Sequence, residues 1–155
     1  MLLAAKGATA RGLLSATALS ALALCLMVET VAAQQIDSTL TVYIDGVETR
    51  EGQVLVALYD VEADWLRDGH EKYVRKAPAA GGRQGIDFAH LAPGRYAVAA
   101  YHDANDDGEL STNAFGLPTE AYGFGNDARG VFGPPRWSAC VIEFEGRGHT
   151  SVRLK

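Results

Sequence analysis

The chain has 155 residues, 48% of them hydrophobic, with 14 Lys and Arg against 19 Asp and Glu and a net charge of −5. An acidic surface of this kind gives no electrostatic reason to approach nucleic acid or anionic lipid. Two cysteines are too few for the disulfide framework of a small secreted scaffold, so stability has to come from packing.

The first 33 residues carry the pattern of a secretory signal peptide. Lys6 and Arg11 give a positive n-region, Leu13 to Val28 an apolar h-region, and Val31-Ala32-Ala33 a small-residue cleavage site before Gln34. Glu29 follows the apolar run directly, and an uncleaved anchor would need about 20 apolar residues. Cleavage is therefore expected, with no membrane span afterwards. Residues 34–155 then form a single domain with 12 bases and 18 acids, in which Cys140 is the one remaining cysteine. The expected location is exported, either periplasmic or secreted.

Thr39 to Asp45 alternates, Leu40, Val42 and Ile44 against Thr41, Tyr43 and Asp45, as a half-buried strand does. After a turn through Gly46 and Gly52, Gln53 to Asp60 is apolar on both faces, which suits an interior strand. Val61 to Lys72 shows no sustained helical stripe, and a helical turn or loop cap is expected there. Tyr73 to Ala77 reads as a short strand ended by Pro78, and Gln84 to Ala89 as another. Leu91-Ala92-Pro93-Gly94 is a tight turn into the strand Arg95 to His102. The small residues Ala97 and Ala99 on one face of that strand predict a close neighbour. Cys140, Ile142 and Phe144 alternate in a sixth strand and are expected to share an inward face, and Val152 and Leu154 mark the seventh. Seven short strands with hardly any helical periodicity predict an all-β fold, a seven-stranded antiparallel immunoglobulin-like β-sandwich.

One connection is out of proportion. Tyr101 to Pro135 carries six carboxylates against one base, Arg129, together with six glycines and three prolines. Connections in compact domains usually span about 4–6 residues, and much longer ones are functional or disordered. Leu110, Phe115, Leu117, Tyr122, Phe124, Val131 and Phe132 are too apolar for a solvated tail, so a long ordered loop over 103–135, packed on its own side chains, is expected.

The run LAPGRYAVAAYHD, residues 91–103, resembles the L-x-P-G-x-Y signature of carboxypeptidase-regulatory-like and prealbumin-like sandwiches. EGQVLVALYD (51–60), followed by GRYAVAAYHDANDDGELSTNAFGLPTEAYGFGNDARGVFGPP (94–135), resembles the bacterial exported family known as domain of unknown function 2141. The resemblance extends over nearly all of residues 40–154. It implies an exported, immunoglobulin-like sandwich and supplies no catalytic residues. The family more often reads H-D-x-N-x-N-G-x-L-D-x-N here, whereas this chain has Asp107 and Ser111 at the variable points.

Within the loop, Asp103, Asn105, Asp107 and Gly108 fall at positions 1, 3, 5 and 6 of an EF-hand-like calcium loop, with Glu109 and Ser111 at positions 7 and 9. Position 12 is Ala114, so Glu120 or Asp127 would have to complete the shell. Ca2+ is thus the candidate cofactor, with Asp103, Asn105, Asp107, Glu109, Ser111 and Glu120 as candidate ligands. The ligand count is incomplete, and Asx-turns from Asp103, Asn105 and Asp107 to the local backbone are the simpler expectation. Asn113, Asn126 and Asp127 are expected to tie the loop down in this way, and Arg129 to pair with one of the acids. Tyr122, Phe124 and Phe132 fit either a loop core or a stacking platform for a glycan or aromatic ligand. No nucleophile elbow or histidine ligand spacing is present. The expected function is a non-enzymatic binding or structural domain of the cell envelope, with a protein or glycan partner and no nucleic acid. The alternative is a small periplasmic hydrolase or metalloenzyme using His102, Asp103 and Glu120.

Overall fold

Side-chain alternation forms the sheets. In the computed structural model, described over residues 38–155, the strands are β1 (Thr39–Val47), β2 (Gln53–Tyr59), β3 (Tyr73–Pro78), β4 (Gly82–Ala89), β5 (Gly94–Asp103), β6 (Tyr122–Phe124), β7 (Val141–Phe144) and β8 (Arg147–Arg153). The expected leader and its cleavage boundary lie outside the described residues. One sheet has the order β4-β1-β8. The other has the order β3-β2-β5-β6, with β7 also paired to β5. β7 takes the Gly94–Ala97 half of β5 and β6 the Ala99–Tyr101 half, end to end along one edge.

The two sheets share one core. Leu40, Val42 and Ile44 of β1, Ile86 and Phe88 of β4, and Val152 of β8 meet Val54, Val56 and Leu58 of β2 and Tyr96, Val98 and Ala100 of β5. Each large side chain so enclosed contributes about 1.5–3 kcal/mol relative to exposure. A smaller cluster forms on the outer face of β2 and β5. There Tyr59, Ala97 and Cys140 are buried, with Trp65, Phe124 and Trp137 packed against them. The small Ala97 leaves room for a one-turn helix, α1 (Trp137–Cys140), and for the approach of Phe124, the close neighbour that the sequence predicts.

Three expectations change. The strands number eight, because Tyr122–Phe124 inside the long connection pairs with β5. The sandwich is not wholly antiparallel, since β1 runs parallel to β8 from Thr39↔Arg147 to Asp45↔Arg153. Cys140 does not share the inward face of Phe144. It ends α1 and packs in the outer cluster, where burial pushes its thiol up to about 11 and leaves it a small hydrophobe.

Candidate functional site

The segment between β5 and α1 is built on one buried carboxylate. Asp103, the last residue of β5, is fully buried. Its Oδ1 accepts the Asp107 N–H at 3.1 Å, and its Oδ2 accepts the Gly108 N–H at 2.9 Å and Gln53 Nε2 at 3.0 Å. Three donors satisfy a charge whose unpaired burial would be prohibitive. Gly52 lets the connection before β2 pass close by. A Cβ there would collide with the Asp103 carbonyl oxygen, and its φ of +68° favours glycine in any case.

From Asp103 a series of Asx-turns continues outward. Asn105 Oδ1 accepts the Asp107 N–H at 3.2 Å and Asp107 Oδ1 the Glu109 N–H at 2.9 Å, while Asn105 Nδ2 donates to Asp107 Oδ2 at 2.7 Å. The Glu109 N–H, followed by the Asn105 amide, holds the Asp107 carboxyl below its ordinary value. Tyr101 donates its hydroxyl to the Gly108 carbonyl at 2.8 Å, and burial, then the charge of Asp103, pushes the phenol up to about 12. Glu120 closes the turn from the far side. Its Oε1 takes the Ala104 N–H at 3.0 Å and its Oε2 the Ser111 N–H at 2.9 Å.

The six candidate ligands thus divide unevenly. Asp103, Asn105, Asp107 and Glu120 turn their oxygens to amides, and Ser111 Oγ lies 3.5 Å from Asp107 Oδ2. Glu109 contributes its backbone N–H to the turn. Calcium takes six to eight oxygens. Among the described residues no group of three or more His, Cys, Asp or Glu is placed to hold a metal ion. The groups that the hydrolase alternative uses have other partners. His102 is buried, with its Nε2 2.8 Å from the Glu51 carbonyl oxygen, while both carboxylates are engaged elsewhere.

Beyond this turn, residues 111–119 form a small hairpin. The Asn113 N–H bonds the Leu117 carbonyl and the Thr119 N–H the Ser111 carbonyl, and Asn113 Oδ1 takes the Phe115 and Leu117 N–H groups. Asn126 donates to the Ala139 and Val141 carbonyls, and Asp127 Oδ1 accepts the Arg153 N–H at 3.1 Å. Asn113, Asn126 and Asp127 therefore act as the anchors that the sequence suggests. Trp65, within the stretch expected to form a helical turn or loop cap, is a further anchor. Its Nε1 donates to the Pro135 carbonyl at 2.9 Å, and its ring stands 5.8 Å from Phe124. Gln53 was also missed, because nothing in a strand pattern distinguishes a polar residue that will meet a buried acid.

The apolar side chains of the segment behave differently from expectation. Tyr122 and Phe124 are half-buried and pack edge to face at 5.7 Å. Phe115, Leu117, Val131 and Phe132 do not form a loop core. They are 89%, 61%, 87% and 102% exposed. Arg129 makes no ion pair among the described residues, so the expected pairing with a loop acid does not form.

The model of a family described as an uncharacterized protein conserved in bacteria (DUF2141) matches residues 42–153. No curated protein matches the chain, and no solved structure does.

Proposed function

We infer that this chain, which belongs to the DUF2141 family of uncharacterised bacterial proteins, is an exported binding domain whose 104–135 segment is a rigid contact surface for a partner protein. One observation carries this reading. The segment's backbone is pinned by Asp103, Asn113, Glu120, Asn126 and Asp127, yet four of its large apolar side chains point into solvent. A surface that orders its backbone and still exposes Phe and Leu has met the ordering cost of binding in advance, and large apolar side chains held out on an ordered backbone suit a partner contact. The immunoglobulin-like or prealbumin-like scaffold that the sequence resemblance implies would fit the same role, since such scaffolds hold loops in fixed positions at their ends. No helix among the described residues is long and apolar enough to cross a membrane.

The test is site-directed photocrosslinking in intact cells. A photoreactive phenylalanine at position 132 or 115 is expected to give a discrete adduct of higher mass, and the same group at exposed Glu145 is expected to give none. A ladder identical from all three positions, or no adduct from either loop position, overturns the reading.

A further inference from the structure

We propose that a cleft beside the end of β8 is a binding site for a small carboxylate carried on a ring, the chemistry shared by acidic sugars and aromatic acids. The cleft is about 170 Å³ and is lined by Tyr122, Phe124, Asp127, Arg129, Arg153 and Lys155, with Gly130, Gly133 and Pro135 along one wall.

Charge is the first argument. In a chain of net charge −5, three bases meet here against a single side-chain acid. Arg67, His70, Lys72 and Arg83 form ion pairs, all elsewhere. Arg129, Arg153 and Lys155 take part in none of these pairs, and Asp127 commits Oδ1 to the Arg153 backbone N–H. Three basic side chains against one acidic one leave the lining net positive, which an anion matches, and guanidinium groups bind carboxylates by charge-assisted, often paired hydrogen bonds.

Shape is the second. Tyr122 and Phe124 line the same cleft, and a flat ring packs on such faces, with arginine able to stack beside it. The lining is held in place from behind. Trp65 backs Phe124 and holds the Pro135 carbonyl, and Gly123 brings β6 so near β8 that a Cβ would strike the Arg153 carbonyl oxygen. A volume below the roughly 300–1,000 Å³ of pockets for larger ligands suits a single ring. This site shares no residue with the apolar tips at Phe115, Leu117, Val131 and Phe132, so either can fail without the other.

The experiment is NMR or calorimetric titration of protein purified from cells expressing the full chain, with glucuronate and benzoate as probes and glucose and benzyl alcohol as their neutral counterparts. At least one acid is expected to bind saturably with a Kd on the order of 1 mM, appropriate to a fragment of this size. Which acid binds tells a sugar acid from an aromatic one. The double variant Arg129→Gln with Arg153→Gln is expected to weaken binding on the order of tenfold, equivalent to about 1.4 kcal/mol, with an unchanged melting midpoint because both side chains are exposed. Lys155→Gln, tested alone, is expected to weaken it less. No saturable binding by either acid, equal binding of the neutral counterparts, or full binding by the double and Lys155→Gln variants overturns the proposal.

Discussion

The two ends of the long segment treat charge in opposite ways. Near β5, Asp103, Asp107 and Glu120 each accept at least one backbone N–H, so the acids hold the chain in shape. Near β8, the side chain of Arg129 is in no ion pair among the described residues, and the neighbouring Val131 and Phe132 stand in solvent. The groups that dominate the composition are consumed by architecture. What stays uncommitted is the minority, a few cations and exposed apolar side chains.

Three measurements sharpen or break this contrast. The largest effect is expected at Asp103. Asp103→Ala leaves the Gly108 N–H and the Gln53 amide without their acceptor and the Asp107 N–H with Asn105 alone, at a cost of about 3 kcal/mol, whereas Arg129→Ala should stay within about 0.5 kcal/mol. Chemical denaturation of both variants measures the difference, and equal midpoints would erase the contrast.

A smaller effect is expected in acid. The Asp107 carboxyl is held below its ordinary value, so its contribution to stability is present in full above the unfolded value, near ~4, and is lost as pH falls toward the folded one. The melting midpoint of Asp107→Asn should therefore lie below that of the natural protein near neutrality, and the gap should close in acid. A gap that is independent of pH would assign Asp107 a role other than accepting amides as a carboxylate.

The smallest response is expected from calcium. Since the turn from Asp103 to Ser111 is completed by its own amides, calcium up to about millimolar levels, the range in which weak extracellular sites fill, should leave the melting midpoint unchanged. A rise that a chelator reverses would show that the acids serve a cation as well as the backbone.

The sheets were legible because burial imposes a period of two. Leu40, Val42 and Ile44 announce β1, and the small Ala97 and Ala99 announce a neighbour before it is seen. The Asx-turns were legible for a local reason, since Asp103, Asn105 and Asp107 bond residues two to five positions away. What escaped depends on distant partners. Three residues with a central glycine, Tyr122-Gly123-Phe124, carry no alternation strong enough to mark a strand, and only the free edge of β5 makes them one. Trp65 meets the Pro135 carbonyl across 70 positions, and Cys140 is placed by an outer cluster to which the alternation of β7 does not extend. The exposure of Phe115 and Phe132 could not be read either, because hydrophobicity alone does not distinguish a core residue from a displayed one.

The parallel register of β1 with β8 has a consequence for the timing of folding. The first strand described lies between β4 and the last one, so its sheet is completed only when the C-terminal end of the chain has become free to move. Contacts of such sequence separation form slowly, and until β8 docks, β1 has an unpaired edge. Closing this sheet therefore waits on a pairing that brings Thr39 to Arg147, while the sheet built on β2 and β5 draws on strands nearer in sequence.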